Sequence, residues 1–258
     1  NATGLLPILI GQGTKLSYYL INNDKEYEVT LQLGIKTDTA DGEGKVVEEQ
    51  NVDKAILEES NVETILKSFI GKQLQTPPMY SAIKLNGKKL YEYARKNIQV
   101  DVKPREIEVY DISRTSVDRA KFQIQFTVKC SKGTYIRSLC EDIAKKMGTI
   151  GYMKELNRTK VGIFDIENSI TIEELEENKD NETYLKKHII SIEDLFIELY
   201  GDENKVMLSE RKIELFLNGV KLTQALTDGL YRVYDEKGTF IGIGSVKDRL
   251  LKREIVVA

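Results

Sequence analysis

The sequence predicts an α+β protein: a mixed, largely antiparallel sheet with helices packed against it, followed by a small β-barrel-like domain. Three observations carry this. Two segments, 25–33 and 121–130, alternate apolar and polar residues with the period of a half-buried strand. Other segments carry apolar stripes at helical spacing, bounded by capping residues and glycine. After Gly201-Asp202-Glu203-Asn204 the pattern changes to several short strands, which reads as a linker and divides the chain into domains 1–203 and 204–258.

In chain order, the first strand puts Tyr27, Val29, Leu31 and Leu33 on one face, with Glu26, Glu28, Thr30 and Gln32 on the other. It runs into a loop, Gly34 to Gly44, of glycine and short polar residues that bond their own backbone, so Asp38 and Asp41 read as turn caps. Ser60 with Glu63 reads as the capping box of a helix whose stripe is Val62, Ile65, Leu66, Phe69 and Ile70, with Gly71 as its stop. Pro77-Pro78 breaks the chain, and Leu90 to Lys96 forms a short basic helix bearing Tyr91 and Tyr93. Phe122, Ile124, Phe126, Val128 and Cys130 form the inner face of the second strand. Ser131-Lys132-Gly133 then turns into a helix with Ile136, Leu139, Cys140, Ile143 and Met147 inward, ended by Gly148. Arg137 stands about 100° around that helix from Ile136, in its first turn and off the buried stripe. Thr171 with Glu174, and Ser191 with Asp194, begin two further helices. In the second domain a helix from Ser209 to Leu217 precedes strands at 230–234, 239–246 and 250–257.

The 258 residues are 41% hydrophobic and 31% charged with four prolines, which excludes disordered, collagenous and disulfide-scaffold classes. No apolar run is long enough to span a bilayer, so the expected location is the cytoplasm. The cysteines, Cys130 and Cys140, have no CxxC spacing and read as reduced core thiols. A single histidine, His188, leaves little room for Ser-His-Asp or His-metal chemistry, and no metal or cofactor is expected. Charge is unevenly divided: residues 165–203 hold thirteen acidic and three basic residues, so the remainder carries +7 against a total of −3. The stretches 84–105, with seven basic and two acidic residues, and 129–160, with eight and three, could hold a polyanion or could be solvated faces.

Five motifs stand in one order: Ala2-Thr3-Gly4-Leu5-Leu6-Pro7, Lys25-Glu26-Tyr27, Thr37-Asp38-Thr39-Ala40-Asp41-Gly42, Pro78-Met79-Tyr80-Ser81-Ala82-Ile83-Lys84, and Ser131-Lys132-Gly133-Thr134-Tyr135-Ile136-Arg137. Together they resemble the bacterial tRNA pseudouridine(55) synthase family, over essentially the whole chain. The last domain resembles the PUA-type β domain of pseudouridine synthases and archaeosine transglycosylases. The resemblance implies isomerisation of the T-arm uridine 55 of tRNA to pseudouridine by base flipping, with no cofactor, membrane or protein partner and a monomeric enzyme. The family pattern Gly-Thr-Leu-Asp-Pro-x-Ala places its nucleophilic aspartate just ahead of Asn1, so the chain as it stands is expected to be inactive.

The resemblance also implies site residues. Tyr27 would stack on the flipped base and assist proton removal, although the pattern alone makes it a core tyrosine. Arg137 would hold the reacting carboxylate bidentately, against a competing reading as a surface pair with Glu141. Tyr135 and Leu156 would line the uracil pocket, with Tyr27, Tyr135 and Arg137 converging on one face of the sheet. Lys84, Lys88, Lys89, Arg95, Lys132 and Arg158 would contact RNA, as would Lys247, Arg249, Lys252 and Arg253 in the last domain. Two alternatives are a non-catalytic tRNA-binding chaperone and the RNA-guided branch of the same superfamily.

Overall fold

The computed structural model describes residues 2–20, 23–96 and 98–257. Contacts group the chain into two compact units, Asn1–Pro7 with Asn22–Asn168, and Ile8–Ile21 with Ser169–Ala258. The first unit is built on a seven-stranded sheet. Across it run Ala2–Gly4, Gly151–Val161, Lys25–Leu33, Gln123–Cys130, Arg105–Asp118 and Gly71–Gln75, with Phe164–Asp165 also paired to Gly151–Val161. Ala2–Gly4 is parallel to its neighbour and every other pair is antiparallel, as the alternating patterns predict.

Helices Glu59–Lys67 and Ile136–Lys146 bury their stripes on this sheet. Leu66, Leu139 and Ile143 meet Leu31, Ile124, Phe126 and Val128 in one core. Removing such side chains from water, at roughly 25 cal/mol per Å², is the main stabilising term of the unit. Thr30 and Gln32, expected on the solvent face, are buried as well. Gln32 reconciles burial with polarity by donating to the Lys121 carbonyl at 2.9 Å and accepting from Gln123 at 2.8 Å.

Several boundaries differ from the sequence reading. Ser60 and Glu63 form no capping box, because the helix already begins at Glu59 with Glu58 at its N-cap. A 3-10 turn, Lys54–Leu57, feeds the chain in early and places Ser60 inside the first turn, where its carbonyl accepts from the Thr64 hydroxyl. Gly71, with φ of 110°, opens the strand Gly71–Gln75 instead of stopping the helix, which ends at Lys67. The box at Thr171 does form, with Glu174 N–H donating to the Thr171 hydroxyl at 3.1 Å and Thr171 N–H to the Glu174 carboxylate at 2.9 Å, whereas Ser191 is an N-cap alone, accepting from Asp194 N–H at 3.0 Å. The strands Arg105–Asp118 and Gly151–Val161 are additional to the reading, and both carry β-bulges.

The second unit holds a five-stranded sheet ordered Lys205–Met207, Gly229–Tyr234, Phe240–Lys247, Leu250–Val256 and Leu222–Thr223. The helix Glu210–Leu217 packs on it, with Phe216 buried among Leu208, Val233 and Leu251. The helix Ser17–Leu20 and the acidic segment's Ile192–Tyr200 belong to the same unit, where Tyr19 meets Phe196 edge-on at 5.5 Å. Arg232, 2% exposed, donates to the backbone and carboxylate oxygens of Asp202. Among the described residues no helix is long and apolar enough to cross a membrane.

Burial pushes the Cys130 thiol up to about 11 and raises Cys140 as well, so both stay protonated and inaccessible at neutral pH. A thiol reagent at pH 8 should leave both unmodified in the native protein and label both once guanidinium unfolds it. Native labelling at the rate of free cysteine would contradict this packing.

Candidate active site

The helix Ile136–Lys146 starts one short turn after the strand Gln123–Cys130 and carries Arg137 in its first turn. Its start is fixed by Gln75, which lies buried across from it. Gln75 accepts from the Tyr135 N–H at 2.8 Å and donates to the Tyr135 carbonyl at 3.0 Å. The Ser138 hydroxyl adds a bond to the Thr76 carbonyl at 3.1 Å. The chain around Pro77-Pro78 is thereby stapled to the helix N-terminus.

Arg137 is held from three directions. Its Nη2 donates to the Tyr80 carbonyl at 2.7 Å, and its Nη1 donates to the Thr39 carbonyl and to Asp41 Oδ2, both at 3.2 Å. The side chains of Arg137 and Asp41 are 20% and 19% exposed, so this pair is screened far less than a surface ion pair. Its partner is therefore Asp41 rather than Glu141. Among the described residues these contacts leave the Nε–H and one of the two Nη2 hydrogens without a protein acceptor, two donors that a carboxylate could use.

Asp41 divides its oxygens between two tasks. Oδ1 accepts from the Thr39 hydroxyl at 2.6 Å and the Glu43 N–H at 3.2 Å, which is the turn cap the sequence predicts. Oδ2 faces Arg137, a role that residue pattern alone does not reveal because the two are 96 positions apart. Asp38 is a turn cap for the Lys45 N–H at 2.8 Å. Glycine is required at position 44, where a Cβ would overlap the Thr39 hydroxyl and Asp38. The loop is pinned to the sheet where Met153 N–H donates to the Ala40 carbonyl at 3.2 Å, and Asp41 bridges to Met153.

Further along the same strand lies a second cluster. Leu156 stands opposite Val29, and Arg158 opposite Tyr27, so all four share a sheet face. Tyr27 and Leu156 are half-buried against the core. Burial raises the Tyr27 phenol above its ordinary pKa, Cys130 adds to this, and Arg158 opposes it. Met153 and Arg158 are separated by roughly 16 Å of extended strand, at about 3.3 Å per residue. Tyr27 and Arg137 thus belong to two clusters joined by the strand carrying Leu156, and no hydrogen bond links them among the described residues.

The expected RNA-contacting cations occupy different settings. Lys84–Leu85 and Lys88–Lys89 form a two-stranded hairpin whose Asn86 and Gly87 both have positive φ, the conformation of a type I′ turn. The Asn-Gly pair signals this hairpin in the sequence. The helix Leu90–Ala94 follows, and Lys89 and Arg95 place their charges 5.4 and 5.2 Å from the Tyr91 ring. Lys84, Lys88 and Arg95 are exposed, as is Lys132 in the turn before Tyr135. Arg158 is half-buried, and its Nε donates to the Leu5 carbonyl at 2.7 Å. In the second unit Arg253 donates to the Leu217 carbonyl, and Lys252 pairs with Glu254 at 3.6 Å.

Truncating Asp41 leaves Arg137 with an uncompensated, mostly buried charge. Asp41→Ala should cost about 1–3 kcal/mol of stability in a denaturant melt, and Asp41→Asn less, because the amide oxygen still accepts from Thr39. Wild-type stability in Asp41→Ala would show that the pair is not formed.

Comparison with known proteins identifies the family. Residues 1–136 match the model of the TruB family pseudouridylate synthase N-terminal domain. Residues 137–196 match the tRNA pseudouridylate synthase B C-terminal domain, and 205–253 match the pseudouridine synthase II TruB C-terminal model. The tRNA pseudouridine synthase B of Clostridium tetani is 43% identical over 249 residues, covering 94% of this chain and 81% of that protein. That of Oceanobacillus iheyensis is 44% identical over 224 residues, covering 85% and 74%. The fold is also similar to a crystal structure of a Cbf5–Nop10–Gar1 complex, with a TM-score of 0.62 at 22% identity, over 94% of this chain and 66% of that one. An archaeal box H/ACA Nop10–Cbf5 complex gives 0.61 at 19% identity, over 98% and 72%. The chain belongs to the TruB family of pseudouridylate synthases.

Proposed function

We propose that this protein isomerises a uridine of tRNA to pseudouridine, its target being uridine 55 in the T arm. The observation that carries the chemistry is the Arg137 guanidinium, fixed by Asp41, Thr39 and Tyr80 with its Nε–H bonded to none of the described residues. Pseudouridine formation breaks the bond between ribose C1′ and uracil N1, turns the base, joins C1′ to C5 and releases the C5 proton. A carboxylate must be held ionised beside the ribose, and a bidentate guanidinium does both by charge and by geometry.

The uridine would lie along the strand Gly151–Val161, with Leu156 as an apolar wall, Tyr27 stacked on the base and Tyr135 lining the pocket. Flipping the base costs unstacking, which this stacking offsets. Lys84, Lys88, Lys89, Arg95 and Lys132 would neutralise phosphates, supplying affinity without base specificity. The domain 204–258 would extend the RNA contact. Identity of 43–44% to tRNA pseudouridine synthase B, against 19–22% to the Cbf5 chains, favours the stand-alone tRNA reading over the RNA-guided one. A guanidinium fixed by three acceptors favours catalysis over a chaperone role.

The test is tritium release from tRNA transcripts carrying 5-tritiated uridine, with the complete protein. Arg137→Ala should lower turnover by roughly 10²–10³ or more while tRNA binding persists. Arg137→Lys should not restore it, because an ammonium cannot present two parallel donors. Turnover in Arg137→Ala close to that of the unaltered protein would overturn the assignment.

A further inference from the structure

The helix Ile136–Lys146 has no capping side chain of its own: Tyr135 stands at the N-cap in extended backbone, and its side chain makes no cap bond. The body of the helix is secure without one, because Ile136, Leu139, Cys140 and Ile143 are buried in the core. Core packing does not fix how the Tyr135 peptide groups are turned, and on that turn depend Tyr135 and Arg137, both assigned to the uridine site. Gln75 fixes it. This residue is 4% exposed, and its side-chain amide pairs with both main-chain groups of Tyr135, accepting from the N–H at 2.8 Å and donating to the carbonyl at 3.0 Å. The same carbonyl accepts the first helical bond, from Leu139 N–H at 3.0 Å, so both of its lone pairs are engaged. A carboxamide is suited to this because it carries a donor and an acceptor side by side, which neither a carboxylate nor an ammonium does. The residues after Gln75 continue the grip: the Thr76 carbonyl takes the Ser138 hydroxyl, and the Tyr80 carbonyl takes Arg137 Nη2. Pro77-Pro78 stiffens the span between them.

We propose that Gln75 is a positioning residue for turnover, acting through the Tyr135 peptide to place Tyr135 and the Arg137 guanidinium. This rests on the reading of the protein as a pseudouridine synthase. Without the amide, the Tyr135 N–H loses its acceptor and its carbonyl one of two donors, so the first turn can shift on the segment that follows Gln75. Arg137 would then move relative to Asp41 and Thr39, acceptors that belong to a different loop. Misplacing a reacting group slows the chemical step, whereas RNA affinity comes from cations elsewhere on the surface. Gln75 therefore governs rate more than binding.

The experiment compares Gln75→Met, Gln75→Glu, Arg137→Ala and the Gln75→Met/Arg137→Ala double variant, in the complete protein, by tritium release and by tRNA binding, with folding checked by a thermal melt. Gln75→Met, close in size but without the amide, should lower kcat about tenfold or more with KM and tRNA affinity changed less than about twofold. In the Arg137→Ala background most of that loss should disappear, because it runs largely through the guanidinium. Gln75→Glu gives a pH signature. Its protonated acid can donate to the Tyr135 carbonyl as the amide does, while the ionised form cannot; burial and the facing carbonyl hold the proton on above the usual carboxylate range. Turnover relative to the unaltered protein at the same pH should therefore be highest near pH 5 and fall as pH rises toward 8. If Gln75→Met does not fold, Gln75→Glu carries the test through this ratio. Losses that multiply independently in the double variant, a raised KM with kcat unchanged, or a Gln75→Glu ratio that is flat with pH would each overturn the proposal. An unaltered protein without turnover would sink the enzymatic reading itself, an outcome distinct from these.

Discussion

The ion pair between Asp41 and Arg137 is the constraint on which the rest of the site depends. An arginine in the first turn of a helix, off the buried stripe, would ordinarily sample many rotamers, and ordering it costs up to about 2 kcal/mol. Here three acceptors, from the 37–44 loop and from the segment after Pro77-Pro78, hold one guanidinium plane. The charge-assisted bond to Asp41 offsets that cost, and the guanidinium plane is fixed in the free protein. Gln75, Gly44 and the Met153 bridge follow from the same need, since each fixes a segment that supplies one of the acceptors.

The strand Gly151–Val161 connects this pair to the second cluster. One edge of it takes the Asp41 loop and then Ala2–Gly4, while the other pairs with Lys25–Leu33. Bulges between Met153 and Glu155, and between Arg158 and Lys160, keep Leu156 and Arg158 on the face of Tyr27 between two irregularities. A single strand therefore spaces the Asp41–Arg137 pair from Leu156 and Tyr27, above the buried core.

Much of this was legible in the sequence where one physical rule acts alone. Alternation found Lys25–Leu33 and Gln123–Cys130, helical spacing found Ile136–Lys146, and the strand-to-helix joint singled out Arg137. The long strands Arg105–Asp118 and Gly151–Val161 were not legible, because each bulge flips the in-and-out order and erases the period of two. Gln75 and Asp41 were missed for a different reason. Both work through partners 60 and 96 residues away, and Asp41 also caps a turn, a local role sufficient to explain its presence. Composition also cannot tell a solvated guanidinium from one bonded to a backbone carbonyl, as that of Arg158 is to Leu5. The motifs that carry the family resemblance supplied what periodicity could not.

The central claim is that the Arg137 guanidinium is locked in the free protein by Asp41. Arginine side-chain nitrogen NMR tests it most directly, since rotation about the Nε–Cζ bond is slow when both Nη groups are bonded. Without RNA present, Arg137 should show two resolved Nη signals in the unaltered protein, collapsing toward one in Asp41→Ala. A single averaged signal in the unaltered protein would contradict a preorganised guanidinium.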